Sequence, residues 1–316
     1  MHSVFKIIIS VGLILCALYF LELKSIVEIL AEGDPVFIFF AVIINLLSFA
    51  IMAFRWYSLL SSEIRSSFLT QLTLYFKSTF LNTFTPANIG ADAYRIFVLK
   101  GHSTSTHRII CLILRERILG LYGLMSLFLV TYLLILLFED SSTITLDSPY
   151  VYGSILAVFT LSLQYLTYPL GKRFAKLALN VFGKKHYTFF ENWIQKLQDL
   201  ISFKRTFVLM LLTTLGILMW VLSIKTITLS LGLTVPTLHL AVVASLVELV
   251  RFIPITLQGI GLREGTFAYL LSFLGHNPEQ SYAIALVAYL ALSVSIFLCG
   301  PIGQFLNILK TNKTIK

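Results

Sequence analysis

Two apolar segments of this chain are interrupted by proline and glycine and carry charges near the interruption. The first runs from about Phe68 to Val98, and Pro86 prevents a continuous helix there because proline lacks a backbone donor. Asp92 and Arg95 follow at a spacing of three residues, which places both on one face of a helix. Asp92 would lie in the first turn, where the helix dipole favours an anion. The pattern indicates either a buried charged site or a surface ion pair in an ordinary loop.

The second broken segment runs from about His239 to Phe273 and carries charge in the same way. Glu248 and Arg251 are again three residues apart, within an otherwise apolar run. Because an unpaired charge at the centre of a bilayer costs roughly 3 kcal/mol, such charges are expected to face each other, water or a substrate. The break that follows contains Pro254, Gly259, Gly261, Arg263, Glu264 and Gly265. Its glycines would expose backbone N–H groups, which suit an anion. The alternative is an ion pair with a purely structural role.

A third charged group, Arg115-Glu116-Arg117, precedes the apolar run Ile118–Phe138. These residues would either contribute to a site or mark the cytoplasmic end of the run, where arginine is common. The 6 histidines are scattered without metal-ligand spacing, and neither a nucleophile elbow nor a Walker phosphate loop occurs. We therefore expect no metal, no cofactor and no ATP hydrolysis by this chain.

The composition identifies the apolar segments as membrane-embedded. Of the 316 residues, 57% are hydrophobic and only 12% are charged, and the mean hydropathy is +0.88. Several runs are long enough to cross a hydrocarbon core of ~30 Å. The fold class is therefore predicted to be all-α, a polytopic membrane protein with six full transmembrane helices plus two re-entrant or broken helical hairpins. The predicted spans are Val4–Leu21, Pro35–Leu59, Ile118–Phe138, Tyr150–Leu170, Phe207–Ser230 and Gln280–Leu306.

Loop charges predict how the spans are oriented. Eight basic residues lie in 172–205, and further arginines lie in 95–117. Loop 139–149 has three acidic residues and no basic one, and loop 22–34 has one lysine against four acids. Basic loops remain in the cytoplasm, so we expect a multi-pass protein of the cytoplasmic (inner) membrane with both termini cytoplasmic. The net charge of +9 is thus a topology signal, and no nucleic-acid partner is expected.

The order of spans indicates two halves within one integral membrane domain, 1–316. Residues 1–138 and residues 150–306 each contain two spans, a hairpin and a final span, with every direction reversed between them. This arrangement is typical of an inverted-topology repeat, and its two hairpins would meet near the middle of the bilayer. Between the halves, 171–206 is a basic cytoplasmic loop. Within it, 187–203 has the pattern of an amphipathic helix, lying either in the headgroup layer or on the rest of the protein.

The ordered motifs Asn82…Pro86…Gly90-Ala91-Asp92…Arg95, Glu116-Arg117, and Glu248…Arg251…Pro254…Gly259-Ile260-Gly261…Arg263-Glu264-Gly265 resemble the lysylphosphatidylglycerol synthase transmembrane-region family. The similarity covers nearly the whole chain, and Ala91 departs from the second glycine usual in the family. The resemblance implies a lipid substrate. Members are often named phosphatidylglycerol lysyltransferase, but the longest polar segment, ~35 residues, is too short for a soluble catalytic domain. We therefore expect a stand-alone member that is not an enzyme.

The leading hypothesis is a lipid flippase that moves a phosphate-bearing lipid across the cytoplasmic membrane, with aminoacylated and polyprenyl-linked lipids as candidates. The alternatives are a membrane-embedded transferase, with Glu248 or Asp92 as general base, and a non-catalytic scaffold. The expected partners are the membrane lipid and a separately encoded lipid-modifying enzyme. The residues expected to bind substrate are Asn82, Asp92, Arg95, Glu116, Arg117, Glu248, Arg251, Arg263 and Glu264. Those expected to shape the hairpins are Pro86, Gly90, Pro254, Gly259, Gly261 and Gly265.

Overall fold

The computed structural model describes residues 23–60, 66–85, 89–100, 106–138, 203–250 and 261–314. All regular secondary structure in these ranges is helical, which confirms the all-α fold class. The α-helices are α1 (Leu23–Ala31), α2 (Pro35–Leu59), α3 (Phe68–Leu81), α4 (Ile89–Lys100), α5 (Thr106–Phe138), α6 (Phe203–Ser230), α7 (Thr237–Val250), α8 (Leu262–Phe273) and α9 (Pro278–Thr314). A 3₁₀ turn, Asn82–Phe84, follows α3.

Four of these helices are long and apolar enough to cross a membrane. Within α2, α5, α6 and α9, the candidate spans are Pro35–Leu59, Arg108–Ile135, Phe207–Ser230 and Pro278–Leu309. The first and third have the predicted bounds, whereas the other two begin earlier than predicted. The predicted spans Val4–Leu21 and Tyr150–Leu170 lie outside the described residues, as does almost all of the amphipathic segment 187–203, so a total of six spans stays a prediction.

The surfaces of the long helices are apolar on the outside. On α6, the exposed positions include Phe207, Leu211, Leu215 and Leu222, which follow one another at helical spacing. A soluble protein rarely leaves so continuous an apolar stripe in water. In a bilayer the stripe faces lipid tails at no such cost, while Thr213, Ser223 and Thr228 of the same helix are buried inside the bundle.

Local signals fix where α2 begins. The Asp34 carboxylate accepts a hydrogen bond from the Val36 backbone N–H at 2.8 Å, which satisfies one of the free donors at the start of the helix. Pro35 occupies the first helical position, where its missing N–H has no cost. The helix then continues for 25 residues without an acidic residue, which suits a membrane span.

Both broken segments are pairs of short helices, as the sequence predicted. In the first, α3 and α4 pack on each other across the 3₁₀ turn, and in the second α7 packs on α8. Pro86, Pro254 and Gly259 lie in the parts of the breaks that are not described. The re-entrant character of the pairs stays a prediction.

Helices that are far apart in the chain pack on each other around a central pair, α2 and α6. The central contact joins α2 to α6, where Met52 lies against Gly216, and a Cβ atom at that glycine would come within 2.4 Å of the methionine Cε. Around it, α3 packs on α9 and α7 packs on α5, so each broken segment contacts the last helix of the other half. The inverted repeat itself stays a prediction.

Candidate functional site

A cavity of about 290 Å³ lies between the helices of the bundle. Its described lining comes from α2, α3, α4, α5, α6, α7 and α9, so both broken segments and the central pair of helices contribute to it. Six of the lining residues that the structure describes are charged: Arg55, Asp92, Arg95, Glu116, Arg117 and Glu248. All but Arg55 were predicted from the sequence as substrate-binding residues, and the fold brings all six together from four helices.

Glu116 is the centre of a deeply buried charge cluster. One carboxylate oxygen accepts a hydrogen bond from Nη2 of Arg55 at 2.9 Å, and the other accepts from Nη1 of Arg95 at 2.5 Å. All three side chains are less than 10% exposed. Glu116 lies about three turns inside α5 and is buried within the bundle. Its depth relative to the cytoplasmic end of the span stays a prediction.

Arg95 is held on four sides. Its Nε donates to Ser78 Oγ at 3.1 Å on α3, and its guanidinium carbon lies 4.7 Å from the ring centroid of Trp56 and 4.6 Å from that of Tyr75. Together with the bond to Glu116, these contacts leave the guanidinium little rotational freedom. A cation stacked between aromatic faces and paired with a carboxylate is preorganised to bind an anion.

Arg55 was not predicted from the sequence. It lies four residues before the end of α2, where an arginine usually extends toward the headgroups. The structure instead turns it inward, and its Nη1 donates to Thr213 Oγ1 on α6 at 3.0 Å. The only sequence signal was a lone arginine in an apolar span, which by itself indicates a functional position.

Asp92 and Arg117 form a second, more open ion pair. Two guanidinium nitrogens of Arg117 contact Asp92 Oδ2, and the Nε contact measures 3.1 Å. The Asp92 side chain is 21% exposed and that of Arg117 is 34% exposed. Asp92 lies in the first turn of α4, as predicted. Gly90, two residues earlier, donates its N–H to Thr85 Oγ1 at 2.8 Å, and this bond ties the start of α4 to the end of the 3₁₀ turn.

Glu248, which belongs to the second broken segment, lines the cavity. It lies at the end of α7 and pairs with Arg263 at the start of α8. The Arg263 guanidinium also lies 4.3 Å from the ring centroid of Tyr289 on α9. The predicted local partner of Glu248, Arg251, lies outside the described residues. Glu248 therefore links the two arms of its own segment while it lines the cavity.

Glu264 makes a structural contact and does not line the cavity. Its carboxylate accepts from the Gly261 backbone N–H at 2.7 Å, and Gly261 has a φ of 81°, which favours glycine. These two residues define where α8 begins. A Cβ atom at Gly265 would meet no heavy atom within 4 Å among the described residues. Asn82, the first residue of the 3₁₀ turn after α3, lines the cavity, and its role in substrate binding stays a prediction.

The arrangement favours binding of an anion. The buried cluster of Arg55, Arg95 and Glu116 has two cations and one anion, so one positive charge is left for a ligand. Arginine presents parallel N–H groups that match phosphate or carboxylate oxygens. In the parts of the chain that the structure describes, no group of three or more His, Cys, Asp or Glu is placed to hold a metal ion.

Comparison with known proteins identifies the family of this chain. The chain is 26% identical to the UPF0104 membrane protein PH1989 of Pyrococcus horikoshii over 337 positions, which cover 100% of this chain and 99% of that relative. No solved structure matches the chain. The family described as Lysylphosphatidylglycerol synthase TM region matches residues 3–300, which confirms the resemblance seen in the motifs. With its apolar spans and this match over nearly its whole length, the chain is a multi-pass membrane protein and belongs to the Lysylphosphatidylglycerol synthase TM region family.

Proposed function

We propose that this protein is a lipid flippase that moves a phosphate-bearing lipid between the leaflets of the cytoplasmic membrane. Its family is named for the membrane region of a lipid synthase, which supports a role in lipid handling. The observation that carries the proposal is the position of Arg55 and Arg95, paired on one carboxylate at the wall of a cavity between membrane-spanning helices.

The charge balance of the cavity wall suits a lipid phosphate. Among the described residues, Arg117 of the wall is paired with Asp92, and Glu248 is paired with Arg263. Glu116 neutralises one of the other two arginines, and a phosphodiester has the single negative charge that would neutralise the last one. The cavity also has apolar lining, including Phe49, Trp220 and Leu292, beside the charged side chains. A lipid has both an anionic group and an apolar part, and a site of this composition can accept both.

Transport is favoured over group transfer by the state of the two carboxylates suggested as general bases. Asp92 accepts hydrogen bonds from Arg117, and Glu248 accepts one from Arg263. In each of these contacts the guanidinium binds one carboxylate oxygen, and the ion pair ties two helices together. A general base would have to take up a proton and lose the charge that stabilises its arginine. Such ion pairs suit a lining that holds its shape while a ligand passes.

The proposal is tested by flipping assays in reconstituted vesicles. Purified full-length protein in liposomes should make fluorescent phosphatidylglycerol of the inner leaflet accessible to dithionite, which protein-free liposomes do not. Arg95→Gln should lower the initial rate about tenfold or more, because the paired guanidinium is lost. Lys225→Met is the matched control, since Lys225 is a cation inside α6 that donates to the Val235 carbonyl at 2.7 Å and does not line the cavity.

Two outcomes would contradict transport. Equal rates for the wild type and Arg95→Gln would remove the role of the arginine pair. Absence of flipping of every tested lipid, together with formation of a modified lipid from a labelled donor, would support the transferase. Absence of both activities, with a lipid-modifying enzyme that co-purifies, would support the scaffold.

A further inference from the structure

Asn45 is a buried polar side chain with no hydrogen-bond partner among the described residues. Asn45 lies on α2 and is 1% exposed. Neither Oδ1 nor Nδ2 of its amide is hydrogen-bonded to another described group. Asn45 nevertheless lines the cavity that contains the arginine pair. The mechanism proposed above makes no use of it.

The position is energetically unfavourable unless a polar group from outside the described residues, such as a ligand or water, satisfies the amide. A buried amide that makes no hydrogen bond costs several kcal/mol relative to water, roughly 2–7 depending on the reference state. Leucine has a similar shape and would avoid this cost among neighbours such as Phe49 and Leu292. By contrast, Ser48, one turn along the same face, is satisfied by donating to the Gly216 carbonyl at 2.8 Å. Unlike Ser48, Asn45 therefore has both a hydrogen-bond donor and an acceptor that no described group uses.

The distance between Asn45 and Arg55 defines the kind of ligand that could contact both. They are ten residues apart on one helix, which corresponds to about 15 Å along the axis. Asn45 is the eleventh residue of a helix of 25, so it lies at mid-depth, whereas Arg55 lies near one end. The side chain of Arg55 points back along the helix toward its N-terminus and shortens the gap. A ligand that binds both therefore has a hydrogen-bonding group several bonds from its anionic group.

We propose that Asn45 is a specificity-determining residue that binds a hydroxyl- or amide-bearing headgroup, beyond the phosphate held by the arginine pair. The inference rests on the proposed function, because it needs an anionic lipid in the cavity. A carboxamide donates through Nδ2 and accepts through Oδ1, so a hydroxyl or an amide can satisfy both atoms at once. A headgroup that ends in a methyl group can satisfy neither.

The test compares two lipids of equal charge. Dioleoyl phosphatidylglycerol has two headgroup hydroxyls, whereas dioleoyl phosphatidylmethanol has none, and both are phosphodiesters with identical tails. Binding of each to the purified full-length protein in a nonionic detergent is titrated by native mass spectrometry. The wild type should prefer phosphatidylglycerol about tenfold, the effect of one or two net hydrogen bonds. Asn45→Leu should lower this ratio to about one and leave the affinity for phosphatidylmethanol unchanged.

Controls separate this inference from the proposed function. Ser48→Ala removes a neighbouring hydroxyl that is already used inside the protein, so it should keep the tenfold ratio of the wild type. A wild type that binds both lipids equally, or Asn45→Leu with an undiminished ratio, would overturn the inference while lipid binding itself stands. Failure of both lipids to bind would overturn the proposed function as well. If Asn45→Leu does not fold, Asn45→Ala gives the same ratio test with less bulk.

Discussion

Arg95 and Glu116 form a buried ion pair of 2.5 Å between α4 and α5, although they are 21 residues apart in the chain. The pair joins the short helix of a broken segment to a membrane-spanning helix, so it fixes the segment as well as lining the cavity. Because Glu116 also accepts from Arg55 on α2, one carboxylate connects three helices. The stability of the bundle and the charge of the cavity therefore depend on the same residue.

Glu116→Gln should destabilise the protein strongly. Replacing the carboxylate leaves two buried guanidinium groups without their counter-charge, which typically costs about 3–5 kcal/mol. The measurement is the thermal unfolding midpoint of the purified protein in detergent. Glu28→Gln is the control, because the Lys24–Glu28 pair is 3.9 Å long and largely exposed, and such pairs contribute about 1 kcal/mol or less. Similar midpoints for the two variants would contradict the structural role of Glu116.

Arg55→Lys should lower the rate of transport without preventing the protein from folding. Lysine keeps the positive charge, but as a point charge it cannot reproduce a planar guanidinium that binds Glu116 and Thr213 at 2.9 and 3.0 Å. We expect correct membrane insertion and a flipping rate lowered about tenfold, which corresponds to about 1.4 kcal/mol. Flipping of fluorescent phosphatidylglycerol in liposomes is the measurement. A rate equal to that of the wild type would show that charge alone suffices.

The sequence predicted which residues are charged inside the membrane but not how they pair. A charge in an apolar segment is costly, so its presence alone indicated a site. Spacing of three residues pointed to the local pairs Asp92–Arg95 and Glu248–Arg251. In the structure, Asp92 and Arg95 instead pair with Arg117 and Glu116 of α5. Such partners come from tertiary packing, which no local spacing encodes.

Two cavity residues were not predicted from the sequence for the same reason. Arg55 lies close enough to the end of a span to resemble an arginine that reaches the headgroups, and only the packing of α2 on α6 and α5 turns it inward. Asn45 is a single amide in an apolar run, and its significance depends on which neighbours bury it. The membrane spans were easier to predict from the sequence, since Pro35–Leu59 and Phe207–Ser230 follow from hydropathy alone.

A double-mutant cycle should detect coupling between Asp92 and Arg117. The variants are Asp92→Asn, Arg117→Gln and the combination, and residues in direct contact usually show an interaction energy of about 0.5–3 kcal/mol. Because these side chains are 21% and 34% exposed, each single change should destabilise the protein less than Glu116→Gln does. The cycle is measured by thermal unfolding in detergent. Strictly additive effects would mean that the ion pair does not contribute to stability.

Gly261 and Gly265 should respond oppositely to alanine. Gly261 has a φ of 81°, where a Cβ atom is strained by about 1–2 kcal/mol, so Gly261→Ala should lower the unfolding midpoint. Gly265 lies inside α8, where an added Cβ atom would meet no described heavy atom within 4 Å, and alanine favours a helix over glycine by up to about 1 kcal/mol. Gly265→Ala should therefore leave the midpoint unchanged or raise it. Equal destabilisation by both substitutions would show that the second break needs glycine for a reason other than the backbone conformation at the start of α8.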